Sequence, residues 1–143
     1  MFAKRIRDAY EQKGNICVCL CKGRDAAEWG IPMLEGSLKE WTGNMFRECD
    51  SLLFIGAAGI AVRAIAPFVA SKASDPAVLV MDEQGHFVIS LLSGHLGGAN
   101  ALTREIAALV GAVSVITTAT DAGGRFSVDD FARRENMHLD SLS

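Results

Sequence analysis

The sequence predicts an α/β domain of the Rossmann-like, three-layer kind, with a mostly parallel sheet and one hairpin. Short apolar runs typical of buried strands alternate along the chain with segments of helical periodicity. Two of these runs are separated by residues 82–85, Asp-Glu-Gln-Gly, which are typical hairpin residues and make one strand pair antiparallel. We expect residues 1–143 to form a single α/β domain.

The helices are predicted from the spacing of apolar residues and from the residues that flank them. Gly14 and Gly111 are stop signals, and Ser37 is an N-cap with Glu40 at the capping-box position. Pro67 ends or perturbs the helix that precedes it. The predicted helices are 2–13, 38–47, 60–66, 99–110 and 128–136.

The strands are predicted from short apolar runs bounded by turn residues. They are 15–21, 51–55, 77–81, 87–92 and 113–117. Residues 22–36 are expected to form a loop, and residues 56–59 and 93–98 two glycine-rich turns. A helix at the start is unusual for an α/β chain. It predicts either that a leading strand is missing or that the helix covers an edge of the sheet.

Composition excludes several classes of function. Half the residues are hydrophobic, 22% are charged and the formal net charge is −3, so we expect neither disorder nor a nucleic-acid partner. No apolar run reaches the roughly 18–20 residues that span a bilayer. The charged start of the chain lacks the apolar core of a signal peptide, so the expected location is cytoplasmic.

Cysteines recur at alternate positions in the first predicted strand. Cys17, Cys19 and Cys21 would point to one side of it and form a small buried face. The alternative is a thiolate metal site completed by Cys49, although no CxxC spacing supports it. We favour the buried face and expect no metal site.

The first candidate site is the segment 54–63, which runs from a strand through a turn into a helix. Gly56 and Gly59 would let the backbone approach a ligand, and N–H groups at the helix start favour an anion. Arg63, one turn into the helix, could add a bidentate contact to a carboxylate or phosphate. The alternative is that the glycines serve only close packing of strand and helix.

The second candidate site is the turn of residues 93–100, SGHLGGAN, between an apolar strand and a helix. Its glycines leave His95 with little steric cover, and an imidazole can transfer protons near neutral pH. Asn100 would either orient that ring, hold a ligand carbonyl or cap the helix. The predicted ligand-binding residues of this turn are Ser93, Gly94, Gly97, Gly98 and Asn100.

The third candidate follows the last predicted strand, where residues 117–121 read Thr-Thr-Ala-Thr-Asp. Ligands of open α/β sheets collect at the carboxyl ends of strands, so Asp121 could hold a histidine or polarise a water. A turn or cap is the alternative. No serine-hydrolase elbow, HExxH or P-loop motif is present.

Taken in order, these segments resemble the cobalt-precorrin-5A hydrolases of anaerobic cobalamin biosynthesis. The most specific piece is SGHLGGAN. The matching segments are residues 54–63, 65–67, 75–78, 82–92, 93–100, 118–121 and 126–129. Family members usually begin with a further strand and continue into a middle and a C-terminal domain. The resemblance therefore implies that this chain is an N-terminal portion, with the C-terminal domain absent.

The resemblance implies a cobalt-bearing tetrapyrrole edged with carboxylates, whose lactone is opened by water with loss of acetaldehyde to give cobalt-precorrin-5B. No cofactor is implied beyond the cobalt of the substrate. Other expected partners are the missing C-terminal domain or a second copy of the chain. For this reaction we expect acid–base catalysis by His95 with Asp121, and oxyanion donors around Gly97 and Gly98. Arg63, with the turn from Gly56, would hold a carboxylate.

Two questions stay open on the sequence alone. A tight hairpin would place the two glycine turns at opposite ends of the sheet, so they form either one shared site or two. The alternative function is a non-catalytic Rossmann-like module that binds an anionic ligand such as a nucleotide phosphate. It lacks the full GxGxxG pattern. A purely structural role, in which the glycines serve packing, is a third interpretation.

Overall fold

The computed structural model describes residues 2–23 and 26–118, without the side chains of residues 26 and 27. The predicted helix 128–136 and Asp121 lie outside this part of the chain. Five α-helices are described: α1 Phe2–Gln12, α2 Ala26–Trp29, α3 Leu38–Glu48, α4 Ala58–Ile65 and α5 Ala99–Val110. A single 3₁₀ turn, Ala66–Phe68, follows α4. The strands are β1 Ser51–Ile55, β2 Ala77–Met81, β3 Phe87–Leu92 and β4 Val113–Val115.

The four strands form one sheet in the order β1-β2-β3-β4. β1 and β2 are parallel, β2 and β3 are antiparallel, and β3 and β4 are parallel. The hairpin is closed by Asp82, whose carboxylate accepts the N–H of Phe87 at 2.7 Å. This hydrogen bond lowers the pKa of Asp82. The predicted α/β class, mostly parallel sheet and single hairpin are confirmed.

Both faces of the sheet are covered by helices, which gives the predicted three layers. Ile6 of α1 and Ile106 of α5 pack with Leu79 on one face, whereas Phe46 of α3 packs with Val78 on the other. The connection from β1 through α4 to β2 and the connection from β3 through α5 to β4 each lead to the next strand in the same direction across the sheet. β3, however, runs antiparallel to the direction of β1. Right-handed crossovers then place α4 and α5 on opposite faces, as observed.

The first helix packs on α5 and on the hairpin. The Tyr10 hydroxyl donates to the Glu105 carboxylate at 2.9 Å, and Ile6 is 6% exposed. At Gly85, which has φ +71°, a Cβ atom would lie only 2.4 Å from the ring of Phe2. The helix therefore packs on the α5 face of the sheet, over its central strands, and not on an edge as one of the two predictions had it.

The predicted strand 15–21 is wrong. In the described residues, the segment joins no strand ladder, and its one bridge pairs Cys21 with Met33. Ile16 and Val18 are 98% and 62% exposed, so the alternation of apolar residues does not correspond to a buried strand. An apolar, β-favouring run becomes a strand only when a neighbouring strand accepts its hydrogen bonds.

The cysteines of this segment are half-buried thiols. Burial raises the pKa of the Cys17 and Cys19 thiols, which makes them poor nucleophiles at neutral pH. No group of three or more metal-ligating side chains occurs within residues 2–23 and 26–118. The thiolate metal site considered from the sequence therefore has no support in this region.

The predicted loop 22–36 contains the short helix α2, which the sequence analysis did not predict. The remaining element boundaries agree with the predicted ones to within two residues. α4 begins at Ala58, so Gly59 lies inside the helix and not in the turn before it. The N-cap at Ser37 is confirmed, because its hydroxyl accepts the N–H of Glu40 at 3.1 Å. Of the helices that the structure describes, none has the length and apolar character needed to cross a membrane.

Candidate functional site

Strand direction divides the candidate residues between two ends of the sheet. β1 ends at Ile55, beside Gly56, at what we call the Gly56 end. β3 runs antiparallel to β2 and ends at Leu92, beside Ser93, at the opposite Ser93 end. The two glycine turns therefore do not form one shared site.

At the Gly56 end, the turn has fewer free backbone N–H donors for a ligand than its sequence suggested. The N–H of Gly56 donates to the carbonyl of Met81 at 2.8 Å, so the sheet already uses it. Arg63 is exposed, and one guanidinium nitrogen lies 3.2 Å from where a Cβ of Gly59 would be. The Arg63 side chain thus lies over the first turn of α4, at the opposite end of the sheet from His95.

The Ser93 turn is held in a conformation that few residues adopt. Ser93 has φ +60°, the left-handed region, which costs a non-glycine residue about 1–3 kcal/mol when strained. Its hydroxyl donates to the carbonyl of Asp75 at 3.1 Å, and its carbonyl accepts the N–H of Ala99 at 3.1 Å. These two bonds anchor the turn to the loop before β2 and to the start of α5. His95 lies exposed at the turn, as the sequence predicted.

One of the predicted oxyanion donors is already occupied. The N–H of Gly98 donates to the carbonyl of His95 at 3.2 Å and closes the turn on itself. Of the two predicted donors, the N–H of Gly98 is therefore already used within the turn. By contrast, the N–H of Gly97 has no acceptor among the described residues. A backbone donor next to the first turn of α5 is favourably placed for negative charge.

Asn100 connects three parts of the Ser93 end. Its side chain is buried, accepts from the Ser90 hydroxyl at 2.7 Å and donates to the Thr118 hydroxyl at 2.7 Å. Its backbone N–H donates to the carbonyl of Gly94 at 3.1 Å. Asn100 does not cap α5, because Gly98 is the N-cap and forms no side-chain cap. Asn100 instead fixes the turn around His95 to β3 and to the exit of β4.

Two residues of this end were not identified as site residues from the sequence. Ser90 is the one polar residue within the apolar strand β3, and such an interruption could have indicated a buried hydrogen bond. The carboxylate of Asp75 accepts the N–H groups of Ala70 and Ser71 at 3.0 and 3.1 Å. Asp75 gave no local signal, because its link to Ser93 spans 18 residues.

Asp121 lies outside the described residues, so its predicted role stays a prediction. Thr118, three positions earlier, is bonded to Asn100 at the Ser93 end. The chain therefore leaves the described region beside the turn that carries His95.

We expect Gly97→Ala to destabilise the chain by about 1–3 kcal/mol, because the turn has no room for a methyl group. The added Cβ would lie 2.5 Å from the Cβ of Ser93 and 2.9 Å from its carbonyl oxygen. Urea unfolding measures this change. Gly59→Ala is the control: its Cβ would meet only the flexible Arg63 side chain, and a helical alanine should be neutral or stabilising. Equal stability of the two variants would contradict the tight packing of Gly97.

Comparison with known proteins identifies the family of this chain. Residues 40–121 match the family model described as Cobalamin synthesis G N-terminal. The cobalt-precorrin-5A hydrolase of Salmonella typhimurium is 50% identical over 115 residues, which are 80% of this chain and 33% of that protein. The cobalt-precorrin-5A hydrolase of Priestia megaterium is 46% identical over 110 residues, 77% of this chain and 29% of that protein.

A solved structure shares the fold. The crystal structure of a cobalamin biosynthesis protein G homolog from Sulfolobus solfataricus superposes with a TM-score of 0.50 at 27% sequence identity. The match covers 76% of this chain and 32% of that one. The chain thus spans about a third of the length of the relatives that it matches.

Proposed function

The chain belongs to the cobalamin synthesis G N-terminal family, and we propose that it acts as a hydrolase in cobalamin biosynthesis. The proposed reaction opens the lactone of cobalt-precorrin-5A with water and releases acetaldehyde, giving cobalt-precorrin-5B in the cytoplasm. The observation that carries the proposal is the Ser93 turn, which presents the exposed His95 from a rigid, hydrogen-bonded frame.

Lactone hydrolysis needs a proton acceptor for the attacking water. As water adds to the carbonyl carbon, it must lose a proton, and the ring oxygen must gain one when its bond to that carbon breaks. An imidazole performs both transfers near neutral pH. His95 is the histidine at the Ser93 end within the described residues, and we assign the acid–base role to it.

The carbonyl oxygen becomes negatively charged during the attack and needs a hydrogen-bond donor. We assign this role to the N–H of Gly97, whose neighbour Gly98 is committed to the carbonyl of His95. The start of α5 adds the positive end of a helix dipole. Ser93, Gly94 and Asn100 have positioning roles, because they shape the turn.

Asp121 stays in the proposal as the partner of His95, since the chain approaches the Ser93 end at Thr118. Gly56, Gly59 and Arg63 lie at the other end of the sheet and have no part in the proposed lactone site. They could hold an anionic group only as a separate site. The substrate's own cobalt is the only metal that the proposal includes.

Further parts of the enzyme belong to the proposal, because relatives are about three times as long as the matched region. We propose that this chain works with the remaining family domains or with a second copy of itself. The alternative, a non-catalytic module that binds an anionic ligand, is not favoured, because the curated relatives are named as hydrolases.

The test is acetaldehyde release when the chain meets cobalt-precorrin-5A without oxygen. We expect one acetaldehyde for each lactone opened, measured with a coupled alcohol dehydrogenase assay and by mass spectrometry of the corrinoid. A silent chain that becomes active when the remaining family domains are added would place part of the site in those domains. Absence of turnover in both preparations would contradict the proposed function.

A further inference from the structure

We infer that Lys72 binds a peripheral carboxylate of the corrinoid substrate at the Ser93 end of the sheet. The inference rests on the proposed function for its ligand class, an acidic tetrapyrrole. Lys72 takes the carboxylate-binding role that the sequence analysis gave to Arg63, because Arg63 lies at the Gly56 end.

Lys72 lies on a short loop that several internal hydrogen bonds stabilise. The carboxylate of Asp75 accepts from the N–H groups of Ala70 and Ser71, and the N–H of Asp75 donates to the Ser71 carbonyl at 2.8 Å. The Ser71 hydroxyl also accepts the N–H of Ala73 at 3.1 Å. Asp75 is 7% exposed, so its carboxylate stabilises the loop and is largely shielded from solvent.

The same loop is attached directly to the proposed lactone site. The Ser93 hydroxyl donates to the carbonyl of Asp75 at 3.1 Å. A Cβ placed on Gly97 would lie 3.4 Å from the backbone nitrogen of Ala77, which shows how closely the turn approaches the end of this loop. The loop that carries Lys72 therefore borders the turn that contains His95.

The ammonium group is available for a ligand. Lys72 is exposed and forms no ion pair with any residue of the described part of the chain. Arg47, a cation in the last turn of α3, already donates to Asn44 at 2.8 Å. The Asp75 carboxylate accepts backbone N–H groups, and two exposed acids, Glu48 at the end of α3 and Asp50 before β1, also lie at this end. Because hydrogen bonds already order the backbone of this loop, binding of a carboxylate by Lys72 costs little backbone conformational entropy.

The test measures binding directly, without turnover. Dicyanocobyrinic acid, a cobalt corrinoid with free peripheral carboxylates, is titrated against the chain by calorimetry and visible absorbance, and its neutral heptamethyl ester is the ligand control. We expect Lys72→Gln to raise the Kd for the acid about tenfold, as loss of one partly solvated charge-assisted contact would. Lys72→Arg should restore most of the affinity, and Lys39→Gln, an exposed lysine in the first turn of α3, should change nothing.

Each outcome decides the inference. Equal Kd values for the wild type and Lys72→Gln, or no binding of the acid by the wild type, would overturn it. A loss of affinity that appears equally with the ester would also overturn it, because the ester carries no carboxylate. Lys72-dependent binding of the acid would support the inference even if cobalt-precorrin-5A released no acetaldehyde with or without the remaining family domains, a result that would contradict the proposed hydrolysis alone.

Discussion

Replacing His95 with alanine is expected to lower the rate of lactone opening by about 100- to 10,000-fold, the usual contribution of a positioned acid–base group. The side chain is exposed on its turn, and the turn is closed by a bond to the backbone carbonyl of His95, which the substitution keeps, so the fold should survive the change. Acetaldehyde release measures the rate, with the remaining family domains added if the chain alone is silent. Thermal unfolding of the variant should match that of the wild type.

His86→Ala provides the matched control for this experiment. His86 is also exposed to solvent, but it lies in the hairpin, where its ring nitrogen is 3.6 Å from the Asp82 carboxylate. We expect wild-type turnover from this variant, because the hairpin joins the strands at the Gly56 end. Wild-type turnover from His95→Ala would refute the acid–base assignment, and equal losses in both variants would point to a general effect of removing an imidazole.

Replacing Asn100 with alanine is expected to reduce the free energy of unfolding by about 2–4 kcal/mol, since both the packing and two buried hydrogen bonds are lost. The side chain is 2% exposed and bonds the hydroxyls of Ser90 and Thr118 at 2.7 Å each. Without the amide, both half-buried hydroxyls lose this hydrogen-bond partner. Turnover should also fall, because the turn that carries His95 loses its link to β3.

Urea unfolding measures the change in stability, and Asn44→Ala is its control. Asn44 is exposed and bonds only Arg47 among the described residues, so we expect its loss to cost less than about 0.5 kcal/mol. Asn100→Asp separates shape from hydrogen bonding: it keeps an acceptor for Ser90 but replaces the amide donor by a carboxylate. Similar stability of the two alanine variants would show that the Asn100 network contributes little.

Local patterns in the sequence were sufficient to predict those segments whose structure depends only on residues close by in the chain. Ser37 caps α3 through a residue three positions away, and residues 82–85 form the hairpin. The SGHLGGAN segment forms an exposed turn before α5 for the same reason, since its glycines permit the backbone angles that the turn needs. The exposed position of His95 was therefore predictable.

Contacts between distant residues were not predictable in this way. The run 15–21 has the composition of a strand, yet it remains unpaired because no neighbouring strand of the sheet lies beside it. The partners of Asn100 are ten and eighteen residues away, and Ser93 finds its acceptor in Asp75 across the start of β2. No periodicity encodes such pairs, because they exist only once the strands are aligned.

The sequence by itself determined the α/β class, the hairpin, the family and the residue types available for chemistry, because each depends on neighbouring residues or on an ordered series of short motifs. Only the tertiary structure decided which of those residues meet. The hairpin reverses the direction of the chain between β2 and β3, so the strand before Arg63 and the strand before His95 end on opposite sides of the sheet. That reversal separates Arg63 from the proposed lactone site and brings the loop of Lys72 beside it.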